Sequence, residues 1–159
     1  PARRRQPDPR MVTYMSIVQK SALVPFPAPA MFDLVADVSS YPEFLPWCGG
    51  TEVLQSSDEG MVATVRIAYR GLSQSFTTEN RHNRPESIEL RLRDGPFSRL
   101  QGRWTFKALT PNACRVDLMM DYEMRSGLVA RLLGPVFDQI AQTMVDAFVS
   151  RAEALSSEP

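Results

Sequence analysis

The sequence contains little of the equipment that metal sites and most catalytic sites require. Its 159 residues include one histidine, His82, and two cysteines, Cys48 and Cys114. One histidine cannot supply an H-E-x-x-H zinc site, and two cysteines without C-x-x-C spacing form neither a zinc ribbon nor a disulfide framework. Nucleophile-elbow, Walker and dinucleotide-binding motifs are missing as well. We therefore expect a non-catalytic protein with two reduced thiols, no metal and no required cofactor.

The chain also lacks an excess of charge of either sign and any long apolar run. Lysine and arginine together number 18, as do aspartate and glutamate, so the formal net charge is zero. Balanced charge argues against a protein that works mainly by neutralising phosphates, and we expect no DNA partner, although a local basic patch stays compatible with it. No apolar run approaches the roughly 18 residues of a membrane span. We expect a soluble, cytoplasmic protein with at most peripheral contact with the inner membrane.

Cys48 and His82 are the only candidates for a catalytic nucleophile with its base. Nothing in the sequence places them together, and His82 lies in the charged segment ENRHNRPE, where we expect a solvated side chain. Tyr69 and Tyr122 are the only polar candidates on the inward strand faces that an aromatase/cyclase-type enzyme could use. Packing is the commoner role of tyrosines at such positions, so an enzyme is the least favoured of the functions considered.

The length fits a single domain with one substantial core. Residues 1–15 include a basic segment, PARRRQPDPR, and we expect them to form a flexible N-terminal extension. The domain is predicted to span residues 16–155, followed by a short C-terminal tail at 156–159.

The first part of the domain is predicted to contain one strand and two short helices. Residues 16–24 carry apolar residues with few helix signals and are predicted to form the strand. A helix starts near Pro29, where the missing N–H is not needed, and a second short helix starts at the Ser39–Ser40 pair. Gly49 and Gly50 are then expected to turn the chain into the first strand of a meander.

Five later segments alternate apolar residues with polar or charged ones, which is typical of half-buried strands. They span residues 61–71, 72–82, 87–94, 100–109 and 114–124. Residues 128–155 then form a long amphipathic helix, which the Gly134–Pro135 step either kinks or divides from a short lead-in turn. The sequence thus predicts an α+β protein in which a curved antiparallel sheet wraps around a long C-terminal helix, the helix-grip architecture.

The inward face of this sheet is rich in large apolar side chains. Such a face forms either a solid core or the wall of an elongated apolar cavity, and periodicity alone favours neither. If there is a cavity, the segment after the first helices would cover it as a lid. The lid residues are Tyr41, Phe44, Leu45 and Trp47, and the predicted cavity residues are Val65, Ile67, Tyr69, Phe76, Leu90, Leu92, Trp104, Phe106, Leu118, Met120, Tyr122, Phe137, Ile140, Met144 and Phe148.

Four stretches of the sequence resemble one known family. SALVPFPAPAMFDLVADVSSYPEFLPWC, FTTEN, DGPFSRLQGRWTF and VFDQIAQTMVDAFVSRA are similar to the coenzyme Q-binding START-like family of the polyketide cyclase/dehydrase superfamily. The likeness covers nearly the whole chain from Ser16 to Leu155. It implies a helix-grip fold of the START/Bet v 1 kind with an apolar tunnel and no catalytic or metal-binding residues.

The resemblance implies two functions. The first is non-catalytic binding of ubiquinone or a related polyprenyl lipid in the tunnel, in support of respiration. The alternative is that of a toxin branch of the family, whose members bind the large ribosomal subunit and block subunit association, and for which the resemblance suggests a small antitoxin protein as partner. For the ribosomal alternative we expect a basic surface patch, for which Arg91, Arg93, Arg99 and Arg103 are candidates.

Overall fold

The structure is a computed structural model, and it describes residues 15–157. Residues 1–14, which make up nearly all of the predicted extension, and the last two residues of the predicted tail lie outside the described part. The elements in chain order are β1 (Met15–Val24), α1 (Ala28–Ala36), a 3-10 turn (Val38–Ser40), α2 (Tyr41–Phe44), β2 (Cys48–Ser57), β3 (Gly60–Tyr69), β4 (Leu72–Asn83), β5 (Ser87–Asp94), β6 (Phe97–Thr110), β7 (Ala113–Met124) and α3 (Leu128–Ser156).

The seven strands form one antiparallel sheet in the order β1-β7-β6-β5-β4-β3-β2. Strands β2 to β7 follow one another as a meander, and β1 pairs with β7 so that Met15 lies opposite Glu123 and Val24 opposite Cys114. Helix α3 packs against β1 and β7, and α1 packs against β6 and α3. The predicted helix-grip fold, with two short helices after the first strand, is confirmed.

Strand β2 is the element that the sequence did not predict. Gly49 and Gly50 lie inside this strand, with a bulge between Cys48 and Gly50, so the expectation of a turn at the glycine pair is wrong. A Cβ at Gly49 would lie 2.8 Å from the Cβ of Ala68, which explains the need for glycine there. The strand is exposed from Glu52 onward because it forms one edge of the sheet, and an exposed edge shows no apolar alternation.

Helix α3 runs without interruption through Pro135, so the expected division into a lead-in turn and a main helix is not found. Proline at this position removes one hydrogen bond to the carbonyl of Arg131. Both residues are exposed, so water can take the place of the missing donor.

Aromatic packing joins α3 to the sheet. The ring of Phe137 lies 4.6 Å from that of Tyr122 and 4.8 Å from that of Phe97, centre to centre, in edge-to-face geometry. The Tyr122 hydroxyl donates a hydrogen bond of 2.9 Å to Oδ1 of Asp138 on α3. Tyr122 is fully buried, so this bond satisfies a polar group inside the core and fixes the helix against β7.

We predict that Tyr122→Phe lowers the free energy of unfolding by about 1–2 kcal/mol, because it leaves the Asp138 carboxylate without one of its donors. Tyr69→Phe is the matched control, since Tyr69 is 41% exposed and has no hydrogen bond among the described residues. Urea denaturation followed by circular dichroism measures both. Equal stability of the two variants would contradict the structural role given to the Tyr122–Asp138 bond.

Candidate functional site

A cavity lies between the inner face of the sheet, α3 and the segment that contains α1 and α2. Its volume is about 60 Å³. The lining residues are Val35, Ala36, Val38, Tyr41, Trp47, Ala63, Val65, Phe76, Thr78, Asn80, His82, Ile88, Leu90, Leu100, Trp104, Met120, Phe137, Ile140 and Met144. None of these residues carries a formal charge at neutral pH when His82 is unprotonated.

The structure brings about half of the predicted site residues to the cavity wall, and their role in ligand binding stays a prediction. The predicted residues on the wall are Tyr41, Trp47, Val65, Phe76, Leu90, Trp104, Met120, Phe137, Ile140 and Met144. The predicted residues that are buried in the core without lining the cavity are Leu45, Ile67, Phe106, Leu118, Tyr122 and Phe148. Phe44 and Leu92 are half-buried and pack against the core from its edge.

Tyr69 does not occupy the inward position expected for it. Its side chain is 41% exposed, and the Arg70 guanidinium lies 5.2 Å from its ring centre. Tyr69 is the last residue of β3, at a hairpin where Arg70 and Gly71 take positive φ angles of 48° and 82°. The alternation of β3 therefore predicts the face on which Tyr69 lies but not its exposure at the end of the strand.

The cavity is small compared with the pockets that hold drug-sized ligands. Pockets for drug-sized ligands usually measure about 300–1,000 Å³. At about 60 Å³ the cavity is several times smaller, so most of the inward face is packed core. An elongated lipid would fit only after the covering segment or several side chains had moved.

The predicted lid is packed firmly in place. The Phe148 ring of α3 lies 5.4 Å from the ring of Tyr41 and 5.2 Å from that of Phe44. The Tyr41 hydroxyl donates to the Val35 carbonyl oxygen at 2.5 Å, and burial, together with nearby Asp37, raises the pKa of this phenol well above its usual range. Trp47 is 9% exposed, so it belongs to the core rather than to the surface.

Two ion pairs on the outside link α1 and α2 to neighbouring elements. Arg151 of α3 donates a hydrogen bond of 2.8 Å to Glu43, and its guanidinium carbon lies 5.1 Å from the ring centre of Phe44. A second, bidentate pair links Arg84 to Asp33 of α1, with both N–O distances at 2.8 Å. The Arg84 guanidinium also lowers the pKa of the Asp33 carboxyl. Both pairs are partly exposed to solvent, so each contributes little to stability by itself.

Strand β4 contributes a polar row to the otherwise apolar wall, which the sequence analysis did not predict. Thr78, Asn80 and His82 share the inward parity of Phe76, and all of them line the cavity. Thr78 and Asn80 are 7% and 8% exposed. The sequence contains a signal for this row, because Thr78, Asn80 and His82 follow Phe76 at intervals of two residues and so lie on the same face of the strand.

His82 is not solvated as expected. Its Nε2 atom is buried and has no hydrogen-bond partner among residues 15–157. The imidazole lies edge-to-face against Phe32 of α1, with 5.6 Å between ring centres, because β4 turns this side chain beneath the helix. Burial lowers the pKa of His82, so the neutral form is favoured in the folded protein.

Cys48 is not among the residues that line the cavity with the polar row. Its thiol donates to the carbonyl oxygen of Gly50 at 3.6 Å. Burial raises the pKa of this thiol, and a thiol that keeps its proton is a poor nucleophile. The structure thus supports a packing role for Cys48 rather than the catalytic pair.

The outer face of the sheet carries a wide polar groove of about 620 Å³ along β2 to β5. Its charged residues are of both signs, with Glu79 and Glu89 beside Arg81 and Arg91. Of the four arginines considered for a basic patch, Arg99 pairs with Asp121 and Glu123, and Arg103 lies 4.0 Å from Glu89. Acidic partners therefore cancel much of the positive charge expected on this face.

Several described lysines and arginines, Arg91 among them, form no ion pair with a described residue, and four of them lie toward one end of the sheet. Arg70 at the β3–β4 hairpin, Arg93 at the end of β5, and Arg125 and Arg131 around the start of α3 form no ion pair with a described residue. The Arg125 backbone N–H donates a hydrogen bond of 2.9 Å to the Pro96 carbonyl oxygen. This bond joins the β7–α3 connection to the β5–β6 turn. We call these four residues the basic end.

Within 15–157 no three histidine, cysteine or acidic side chains are grouped so that they could hold a metal ion. Likewise, none of the described helices has the length and apolar character needed to cross a membrane.

Comparison with known proteins gives a consistent family assignment. The family described as polyketide cyclase / dehydrase and lipid transport matches residues 24–149. The chain is 50% identical to the ribosome association toxin RatA of Pseudomonas aeruginosa over 138 residues, which cover 87% of this chain and 96% of that protein. It is 41% identical to RatA of Escherichia coli over 147 residues, covering 92% of this chain and 93% of that protein.

A more distant relative is the mitochondrial coenzyme Q-binding protein COQ10 of Drosophila melanogaster. It is 28% identical over 144 residues, which cover 88% of this chain and 60% of that protein. Among solved structures, the Zhui aromatase/cyclase of a Streptomyces species has a TM-score of 0.75 at 19% identity, covering 87% of this chain and 94% of that one. A START superfamily protein of Mycobacterium smegmatis has a TM-score of 0.74 at 20% identity, covering 87% and 98%. At these identities the structural likenesses support the fold alone.

The burial of His82 predicts a loss of stability in mild acid. Since the folded state lowers its pKa below the ordinary value near 6.5, the unfolded chain binds a proton that the folded chain does not. The stability that neutral His82 contributes is fully present when the pH is above that ordinary value. It is lost as the pH falls through the lower pKa of the folded state. We expect the melting temperature to fall more for the wild type than for His82→Gln between pH 7.5 and pH 5, measured by calorimetry. The ion pair of Asp33 with Arg84 is present in both proteins, so its pH dependence cancels in the difference between their melting temperatures. Parallel falls would show that His82 is not the group responsible.

Proposed function

Because the chain belongs to the polyketide cyclase/dehydrase and lipid transport family, and within it is similar to RatA toxins, we propose that it acts on the ribosome. In this proposal it contacts the large ribosomal subunit and hinders association of the two subunits. The observation that carries the proposal is 50% identity over 96% of the P. aeruginosa RatA protein. The family resemblance of the sequence favours quinone binding first, and the higher identity to the RatA proteins reverses that order.

Two features of the structure support this choice. The interior cavity of about 60 Å³ is small for a dedicated lipid carrier. The basic end offers four arginines without acidic partners, which suits a surface that meets RNA phosphates. The exposed leucines Leu128 and Leu132 lie beside Arg125 and Arg131 and would add apolar contact with a ribosomal protein or an exposed base.

A sucrose gradient tests the proposed activity directly. Overproduction of the protein in bacterial cells is expected to lower the amount of joined ribosomes and to raise the amount of free subunits. The purified protein added to separated subunits should have the same effect at a magnesium concentration that normally permits joining. Gradient profiles that are unchanged in both experiments would contradict the proposal.

We predict that the double variant Arg125→Gln/Arg131→Gln binds large subunits about tenfold more weakly than the wild type. The slope of the logarithm of the binding constant against the logarithm of the salt concentration should become shallower by about one unit for each lost phosphate contact. Co-sedimentation at several salt concentrations measures both quantities. The matched control is Arg81→Gln/Lys107→Gln, which removes the same charge at two exposed residues without an ion pair toward the opposite end of the sheet. If the two double variants lose affinity equally, net charge rather than the basic end governs binding.

The second candidate function is binding of an apolar ligand such as ubiquinone or a related polyprenyl lipid. The 28% identity to a coenzyme Q-binding protein favours it, as does an apolar cavity lined by Trp47 and Trp104. For such a ligand to enter, the segment with α1 and α2 would have to move, because Tyr41 and Phe44 pack against Phe148.

For this second function we expect organic extraction of the purified protein to release a stoichiometric lipid, detected by mass spectrometry. Added ubiquinone should quench tryptophan fluorescence, and Trp47→Ala should reduce lipid retention by more than its effect on thermal stability explains. Absence of both extracted lipid and quenching would exclude the second function while leaving the ribosomal proposal intact.

A further inference from the structure

The polar row on β4 places hydrogen-bonding groups where packing alone needs none. A buried polar atom without a partner costs about 1–3 kcal/mol of stability, and native proteins contain few of them. His82 Nε2 is such an atom, and the cavity beside it is otherwise lined mainly by aliphatic and aromatic side chains. A phenylalanine at this position would pack against Phe32 without that cost.

The neighbouring polar residues leave donors available. Thr78 donates a hydrogen bond of 2.7 Å to Oδ1 of Asn80, which occupies that oxygen. The amide nitrogen of Asn80 makes no side-chain hydrogen bond with a described residue. Alternate residues of a strand lie roughly 6.5–7 Å apart on one face, so Asn80 and His82 can reach neighbouring atoms of the same small ligand from the β4 wall.

The chemistry of the wall selects a class of ligand. No charged side chain lines the cavity, so an ionised group would lose its hydration without compensation. A neutral imidazole can donate to a carbonyl oxygen or accept from a hydroxyl, depending on its tautomer. The surroundings of Trp104, Ile140 and Met144 suit an apolar ring or a short chain.

We propose that the β4 side of the cavity is a headgroup site for a neutral apolar molecule that carries a hydroxyl or carbonyl oxygen, with His82 Nε2 as its hydrogen-bond partner and Asn80 as a second contact. This inference rests on the second candidate function, ligand binding in the interior, and is independent of ribosome binding. It assigns a ligand-orienting role to a residue that the sequence analysis expected to be solvated.

The volume of the cavity limits the size of ligand that can bind without movement of the surrounding side chains. A cavity of about 150 Å³ in a protein core admits benzene, and this cavity measures about 60 Å³. Met120 and Met144 line it, and unbranched methionine side chains repack more easily than other core residues. A single ring enters by moving these side chains, whereas a long tail requires movement of the lid.

Phenol and toluene form a matched pair of probes, because they have nearly the same shape and differ in one hydroxyl group. Isothermal titration calorimetry measures the affinity of the full chain for each probe. The wild type is expected to bind phenol roughly 2- to 10-fold more tightly than toluene, which corresponds to one net hydrogen bond. The imidazole nitrogen signals of His82 should shift on adding phenol and stay nearly constant on adding toluene.

Variants at His82 test the assigned partner. His82→Phe should abolish the preference for phenol while keeping toluene binding, and His82→Gln should keep part of the preference because it retains a donor and an acceptor. Arg81→Gln, on the outward face of the same strand, is the control and should behave like the wild type.

The outcomes separate the inference from the function on which it rests. Equal binding of phenol and toluene by the wild type, or a preference for phenol that survives His82→Phe, would overturn the headgroup site while leaving interior ligand binding in place. No binding of either probe at millimolar concentration would also overturn the headgroup site, and lipid extraction then decides separately whether any ligand occupies the interior.

Discussion

The packing of α3 against the inner face of the sheet is the contact on which the remaining structure depends. Phe137 and Phe148 of this helix project into two aromatic groups, one with Phe97 and Tyr122 and one with Tyr41 and Trp104. The first group holds the helix against the sheet, and the second holds the lid against the helix. The same two side chains therefore stabilise the core and close its interior.

This arrangement explains why the cavity is small. A curved sheet and a single helix leave space between them, and here large aromatic side chains fill most of it. What is left lies beside β4, the strand whose inward face turns from Phe76 to Thr78, Asn80 and His82. These polar side chains keep hydrogen-bonding capacity that an apolar core does not need. The remaining space and the unsatisfied nitrogen therefore lie on the same side of the interior.

The two proposed functions use different parts of the molecule. Action on the ribosome would use the outside, above all the basic end, whose four arginines form no ion pair with a described residue. Ligand binding would use the interior, whose entry is closed by the packing of Tyr41 and Phe44 on Phe148. Nothing in the geometry makes the two exclusive, because no residue of the basic end lines the cavity. A ligand in the cavity would affect the basic end by moving the lid or α3. Helix α3 connects the two sites, because it lines the cavity and begins at the basic end.

The sequence by itself determined the fold, because its strands alternate, its last helix is amphipathic, and four segments resemble a family with a known architecture. It did not reveal β2, since an exposed edge strand needs no apolar pattern, and it misplaced Tyr69, since parity cannot tell where the covering elements end. Only the tertiary structure decided that Pro135 does not divide α3, that acidic neighbours offset Arg99 and Arg103, and that His82 lies beneath α1 rather than in water. The physical reason is common to these cases: burial and charge pairing depend on which elements pack over a residue, and local periodicity records only the face on which that residue lies.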